Sequence, residues 1–155
     1  MLDAGRQWFE IWVPQDPDAW KITKLVFRDI SEKPCFWIDK SDSVVNGDCY
    51  WMIRDNDRDE DLLWLAAAVA NSRFIERYYD HRFNNKLYAG RRRFITQYVE
   101  KFPLPDPATR PGTELIALSK RIFSEIDGGN AEPLLAEINA KVFEAFGLGL
   151  EEIRR

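Results

Sequence analysis

The residues best suited to binding chemistry are cations gathered in one stretch of a chain that is acidic elsewhere. Residues 73–101 carry 8 basic and 3 acidic side chains, which gives this segment a net charge of +5. The flanking residues 1–72 and 102–155 have net charges of −6 and −3, so the whole chain stands at −4. A positive segment between two acidic ones indicates a surface that attracts a polyanion such as DNA along one edge only.

Side chains within this basic segment suit contacts with phosphates and with base edges. Three consecutive guanidinium groups follow Gly90, and a guanidinium can donate two parallel hydrogen bonds to a phosphate or to guanine. Because side chains on a strand alternate between its faces, at least one of the three is expected to form a structural ion pair. Amides can read an adenine edge, a lysine suits a phosphate, and a tyrosine can stack or pack. The candidate DNA-contacting residues are Arg82, Asn84, Asn85, Lys86, Tyr88, Arg91, Arg92 and Arg93, with Lys21, Lys24 and Lys33 as weaker ones near strand ends.

Residue patterns typical of covalent catalysis are missing. The single histidine, His81, excludes a two-histidine metal site and makes a Ser/His/Asp triad unconvincing. No glycine-rich loop follows a predicted strand in the manner that cradles a nucleotide phosphate. We therefore expect no catalytic residue, no metal and no cofactor in this chain. One alternative stays open: the carboxylates of Asp55–Asp61 are either a solvated loop with a helix start or the metal site of a small enzyme.

Bulk composition indicates one globular domain without membrane segments. The chain has 155 residues, of which 45% are hydrophobic and 14% aromatic, enough to bury a core. No apolar run approaches the roughly 18 residues of a membrane span, and the first residues lack the features of a secretory signal. Cys35 and Cys49 form no CxxC pair, and we interpret them as reduced core cysteines. These observations predict a cytoplasmic protein.

The first third of the chain has strand-like runs, and the middle changes to a helical period. Short aromatic or β-branched runs at Trp8–Val13, Leu25–Phe27, Phe36–Ile38 and Tyr50–Ile53 predict strands, and Asn46-Gly47 predicts either a two-residue hairpin turn or a bulge in a loop. From there, acidic residues followed by apolar positions at helical spacing predict one well-buried helix over residues 60–79.

The last third predicts a helical hairpin. Thr113 is expected to cap a helix with an apolar stripe of Leu115, Leu118, Ile122 and Ile126, and Gly128-Gly129 to make the turn. In the second helix Asn130 is the expected cap, Leu135, Ile138, Val142 and Phe146 line the inner face, and Gly147 ends the helix. The predicted fold class is α+β, with a small mixed sheet, a buried central helix and a C-terminal helical hairpin. We place the recognition domain at residues 1–107 and the helical hairpin at residues 108–155.

Five segments, in the right order and spread over nearly the whole chain, resemble a known family. The chain resembles the target-recognition domains of TaqI-like, gamma-type N6-adenine DNA methyltransferases and of type I specificity subunits. In that family a helix ending in an Asn-Ser pair precedes a glycine-containing loop and a Pro-x-Pro exit. The segments are Lys24–Ile30, Pro34–Asp39, Ala70–Phe74, Leu87–Pro105 and Ala136–Ile153, with Thr23 standing where the family often has proline.

The resemblance implies a division of labour in restriction-modification. A catalytic methyltransferase domain, N-terminal in the parent enzyme, would bind S-adenosylmethionine and hold the flipped adenine next to an Asn/Asp-Pro-Pro-aromatic motif. This chain has no such motif, so the resemblance implies a domain that binds double-stranded DNA and positions the target base. The alternative function is a protein-interaction module that acts through the C-terminal helical hairpin without DNA contact.

Overall fold

The computed structural model describes residues 17–45, 47–54, 60–84, 86–125 and 131–149. Five strands and five α-helices confirm the α+β class, and the predicted strand at Trp8–Val13 lies outside the described residues. No helix in these ranges is both long and apolar enough to cross a bilayer. In chain order the elements are β1 (Lys24–Arg28), β2 (Ile30–Ser31), β3 (Phe36–Asp39), β4 (Cys49–Ile53), α1 (Glu60–Ala70), α2 (Arg73–Arg82), β5 (Arg92–Arg93), α3 (Thr96–Val99), α4 (Arg110–Glu125) and α5 (Ala131–Ala145).

Both sheets are antiparallel, whereas the sequence predicted a mixed sheet. Strand β1 lies between β3 and β4, and the much shorter β2 pairs with β5. The predicted hairpin at Asn46-Gly47 does not form, because Val44 and Val45 belong to no strand and Cys49 and Tyr50 pair with β1 instead. Gly47 does have a positive φ of 74°, as a turn residue would, while Asn46 lies outside the described residues.

Two helices occupy the region where a single one was predicted. Helix α1 is the buried central helix, with seven buried side chains. The chain then breaks at Ser72, whose backbone is extended and whose hydroxyl accepts a hydrogen bond from the amide of Ile75 at 3.3 Å. A serine that caps a new helix competes with continuation of the previous one. Helix α2 therefore starts at Arg73 in a direction of its own.

Asn71, at the end of α1, closes the outer edge of strand β3. Its amide oxygen accepts from the backbone amide of Phe36 at 2.9 Å, and its amide nitrogen donates to the Phe36 carbonyl at 2.8 Å. The same nitrogen donates to the carbonyl of Ala67 at 2.9 Å. One side chain thus takes the place of a neighbouring strand and fixes the sheet to the central helix.

Replacing Asn71 by Ala is expected to lower the free energy of unfolding by about 2–3 kcal/mol, because backbone groups of Phe36 lose their partners in a part-buried site. Urea denaturation measures this loss. Asn139→Ala is the matched control, since Asn139 also makes side-chain bonds to the backbone, to Arg73 and Leu135, but at an exposed site. Equal destabilisation of the two variants would contradict the role assigned to Asn71.

The C-terminal helices pair as predicted, with two corrections. Helix α4 starts at Arg110 and is capped by Thr109, whose hydroxyl accepts from the amide of Gly112 at 3.3 Å, so the predicted cap at Thr113 is wrong. Leu135 is 39% exposed, and the buried side chains of α5 are Leu134, Ile138, Val142 and Phe143. Asn130 and Ile126 lie outside the described residues.

The end of α5 at Gly147 is confirmed. Gly147 has a φ of 69°, and the amide of Leu148 bonds back to the carbonyl of Phe143 at 2.9 Å. Both features are typical of a Schellman motif. Helix α4 packs on α1 and α5, so that both C-terminal helices share one hydrophobic core with the three-stranded sheet and the central helix.

Candidate nucleic-acid interface

The basic segment is fixed to the core at strand β5. Phe94, directly after the strand, is fully buried, and its amide donates to the carbonyl of Asp29 at 2.6 Å. The hydroxyl of the buried Tyr79 on α2 donates to the carbonyl of Arg93. Strand β5 is therefore held between β2 on one side and helix α2 beneath it.

Arg92 is the structural arginine of the three. It is 8% exposed, and its guanidinium donates to both carboxylate oxygens of Asp80, at 2.6 and 2.7 Å. A second acid, Glu76, lies 3.0 Å away, and the carbonyl of Glu32 also accepts a hydrogen bond from Arg92. The hydrogen bonds from Arg92 lower the pKa of Asp80, outweighing the opposing effect of its partial burial. Arg92 thus joins β5 to two turns of α2 and to the loop after β2.

Lys86 approaches the same carboxylate from the other side. Its ammonium lies 2.9 Å from Asp80, and half of its side chain stays exposed. The backbone of Lys86 forms an isolated antiparallel bridge with Arg92. Residues 86–92 are therefore a small hairpin, here called the arginine hairpin, whose two ends share one acidic partner.

The tip of the arginine hairpin, residues 88–91, is a tight turn. The amide of Leu87 donates to the carbonyl of Arg91 at 2.7 Å, and the amide of Arg91 bonds to the carbonyl of Tyr88 at 3.4 Å. Between them, Ala89 and Gly90 have φ values of 57° and 72°. Two consecutive positive φ values are those that the central positions of a type I′ turn require, and the pairing of Lys86 with Arg92 makes the loop of the hairpin three residues long. Tyr88 and Arg91 flank this turn.

The two flanking side chains lie together in solvent. Tyr88 is 80% exposed, which is unusual for an aromatic residue. The guanidinium carbon of Arg91 lies 5.9 Å from the centroid of the Tyr88 ring, within the range of a cation–π contact. The tip therefore presents an arginine supported by an aromatic ring and separated from the core by the length of the hairpin.

The other predicted contact residues surround this tip less closely. Arg93 is half exposed and lies 3.2 Å from the carboxylate of Asp29. Arg82 and Asn84 are exposed at the end of α2, where Arg82 lies over the ring of Phe83 and Asn84 has a positive φ of 46°. Asn85 lies outside the described residues. The structure therefore brings Lys86, Tyr88, Arg91 and Arg92 into one hairpin and leaves Arg82 and Asn84 exposed at the end of α2, just before it in sequence.

Lys24, one of the weaker candidates, is wrong as a surface cation. It is fully buried, and its ammonium donates to the carbonyls of Trp20 and Ser41, each at 2.8 Å. Asp39 supplies the compensating charge at 3.2 Å. The signal was present in the sequence, since Lys24 opens one predicted strand and Asp39 closes the next. Lys21 and Lys33 are exposed, and Lys21 pairs with Asp18.

A metal site on carboxylates, the alternative that the sequence left open, finds little support among the described residues. No three of their His, Cys, Asp or Glu side chains are grouped to hold a metal ion. In the acidic run, residues 55–59 lie outside the described part, whereas Glu60 and Asp61 pair with Lys40 and Lys120. Both cysteines are free, and Cys35 is exposed rather than in the core as predicted.

Sequence reasoning missed the acids that position the hairpin. Glu76 and Asp80 are two of the three acidic residues in the basic segment, and they lie four residues apart on α2. That spacing places both carboxylates on one helical face, which could have marked them as partners for the predicted structural arginine.

Comparisons with known proteins identify the family of this chain. The model of the TaqI-like C-terminal specificity domain matches residues 3–104. A type II methyltransferase, M.BanIII from Aneurinibacillus aneurinilyticus, is 38% identical over 123 residues, which is 79% of this chain and 21% of that protein. The chain thus spans about a fifth of the length of this curated relative. Because the family match covers more than half of the chain, the chain belongs to the family of TaqI-like C-terminal specificity domains.

Proposed function

We propose that this chain recognises a DNA sequence on behalf of an adenine-N6 methyltransferase of a restriction-modification system. The observation that carries the proposal is the arginine hairpin, which ion pairs to Asp80 fix at its base and which offers Arg91 and Tyr88 to solvent. Membership of the specificity-domain family supports it. The domain would bind duplex DNA in one register, so that a separate N-terminal catalytic domain receives the target adenine.

The proposed contact surface consists of the tip and the exposed cations next to it. Phosphates would be bound by Arg82, Lys86 and Arg93, whereas Asn84 and Asn85 could reach base edges. Arg92 takes no part in the contact surface, because its paired side chain is nearly buried, whereas the paired side chains of Lys86 and Arg93 are half exposed. It acts instead as the residue that positions the hairpin.

We further propose that this chain performs no covalent step and that S-adenosylmethionine binds to the catalytic domain. One apolar cavity, of about 120 Å³, lies between β3, α1 and the C-terminal helices and offers such a cofactor no charged side chain, which supports this part of the proposal. Its polar side chains are Asn71 and Ser119, and the amide of Asn71 is already committed to the backbone of Phe36. A sulfonium with an amino-acid zwitterion needs charged partners, which this lining does not offer.

The salt dependence of DNA binding tests the proposed function. In a plot of log K against log salt concentration the slope is negative. The double variant Arg82→Ala, Lys86→Ala is expected to make this slope shallower by roughly 1.8, since each lost phosphate contact removes about 0.9. The measurement is a fluorescence-anisotropy titration of the whole chain with duplex DNA from about 50 to 200 mM salt.

A matched control removes the same charge elsewhere. Arg110→Ala, Arg121→Ala deletes two exposed cations of helix α4 and should leave the slope unchanged. An equal change in both double variants would show that no particular surface holds the duplex. Absence of any binding by the unaltered chain would overturn the proposal and favour the interaction-module alternative.

A further inference from the structure

We infer that the tip of the arginine hairpin reads a guanine in the major groove, with Arg91 as the reading side chain and Tyr88 as its support. The inference rests on the proposed function and deepens it, because it names the base and the residue that selects it. Three features of the described structure carry it: the shape of the hairpin, the different environments of its three arginines, and the rigid attachment of its base.

The shape of the hairpin fits the wider groove of DNA. Lys86 and Arg92 face each other across two antiparallel chains, which the bond between Leu87 and Arg91 holds together up to the turn. A major groove about 12 Å wide admits such a two-stranded ribbon, whereas a minor groove about 6 Å wide does not. In the major groove guanine presents two adjacent acceptors, N7 and O6, and the commonest specific partner of that pair is arginine.

Only one of the three arginines is placed to use that pair of acceptors. Arg92 donates hydrogen bonds to Asp80 and to the Glu32 carbonyl, and the Nε of Arg93 donates to Asp29. Arg91 is exposed, and within the described part of the chain no ion pair involves it. Its contact with Tyr88 is a cation–π contact, with 5.9 Å between the guanidinium carbon and the ring centroid, and such a contact uses no N–H donor in a hydrogen bond. The donors that a bidentate bond to guanine needs are therefore not taken up by an ion pair.

The base of the hairpin is fixed before DNA arrives. Asp80 holds Arg92 on one chain of the ribbon and Lys86 on the other, while the Tyr79 hydroxyl binds the next carbonyl of β5. A reading side chain on a rigid support discriminates better than a mobile one, because a wrong base cannot be accommodated by movement of the loop.

Replacement of guanine by 7-deazaguanine tests the inference, since this base keeps Watson–Crick pairing but lacks the N7 acceptor. The duplex is one that the unaltered chain selects from a random pool, and each guanine is replaced in turn. We expect one position at which the replacement weakens binding by the unaltered chain roughly 5- to 100-fold. At that position Arg91→Ala should bind the natural and altered duplexes equally, whereas the matched variant Arg93→Ala should retain the full loss.

Tyrosine variants separate support from direct contact. Tyr88→Phe keeps the ring beneath the guanidinium and should preserve the sensitivity to 7-deazaguanine, whereas Tyr88→Ala should reduce it at that same guanine. Insensitivity at every guanine, or the same loss in Arg91→Ala as in the unaltered chain, would overturn the inference and leave DNA binding intact. Failure of the unaltered chain to select any duplex would instead overturn the proposed function together with the inference.

Discussion

Replacing Lys24 by Met is expected to destabilise the fold by about 3 kcal/mol, although the substitution keeps most of the side-chain volume. The ammonium of Lys24 is fully buried and bonded to two carbonyls and to Asp39. Its removal leaves the mostly buried Asp39 carboxylate and the carbonyls of Trp20 and Ser41 without their cation, and loss of one partner of a buried pair is strongly destabilising. Chemical denaturation at neutral pH measures the difference.

The control is Lys21→Met, three residues earlier. Lys21 also pairs with an aspartate, but its side chain is 65% exposed, and surface pairs of this kind contribute little. We expect a change within about 0.5 kcal/mol. A Lys24→Met variant as stable as this control would contradict the role assigned to the buried ammonium.

The same site sets a pH dependence that the denaturation experiment can follow. Burial disfavours the charged form of Asp39, but hydrogen bonds from Ser41 and Ser43 and the contact with Lys24 outweigh it, lowering the pKa from 3.8 to about 2. A lowered pKa in the folded state stabilises the fold above the ordinary value. That contribution is therefore present above pH 3.8 and is lost as the pH falls toward 2.

Replacing Arg92 by Ala is expected to lower DNA affinity at least about tenfold and stability by about 2–3 kcal/mol, without removal of any DNA contact. The variant leaves Glu76 and Asp80 next to each other without the cation that joins them to β5. The hairpin then loses the bonds of Arg92 to α2 and keeps the Lys86–Asp80 ion pair and the hydrogen bond from the Tyr79 hydroxyl. Arg91 is therefore held less firmly in one position. Urea denaturation gives the stability change, and a duplex titration well below the melting temperature gives the affinity.

Arg92→Lys separates positioning from bulk charge. A lysine restores the charge but cannot donate the two parallel hydrogen bonds that Asp80 now accepts. Compared with Arg92→Ala, we therefore expect Arg92→Lys to regain more of the free energy of unfolding than of the preference for one DNA sequence. Arg93→Ala is the exposed counterpart and should change stability little. If Arg92→Ala matched Arg93→Ala in stability and in preference, the buried network would have no positioning role.

The fold class and the presence of one structural arginine among the three could be predicted from local pattern, because both depend on residues close together in sequence, whereas the hairpin over residues 86–92 was not predicted. Because side chains alternate between the two faces of a strand, at least one of the three arginines was expected to form an ion pair within the fold. The structure identifies this residue as Arg92. The break at Asn71 and Ser72 was missed by the apolar period, which continues through it, although the family resemblance ends a helix at that pair. Helical periodicity indicates which face of a helix is buried, but it does not indicate where one helix ends and the next begins.

Features that depend on distant residues could not be predicted. The Glu32 carbonyl is 60 residues from Arg92, and Asn71 is 35 residues from Phe36. Two threonines, Thr109 and Thr113, could each cap α4, and in the structure the earlier one does so. A side chain at position 112 would lie 2.3 Å from the carbonyl oxygen of Asp106, so the glycine there allows the preceding loop to press against the first turn.

The type I′ turn at the end of the arginine hairpin separates what must be kept from what can vary. Ala89 and Gly90 hold the positive φ angles, so a β-branched residue at either position would forfeit the turn. Tyr88 and Arg91 point outward, and exchanging them disturbs no interior contact. The same turn can thus hold different side chains at positions 88 and 91. Related domains can therefore differ at these two positions while the fold stays the same.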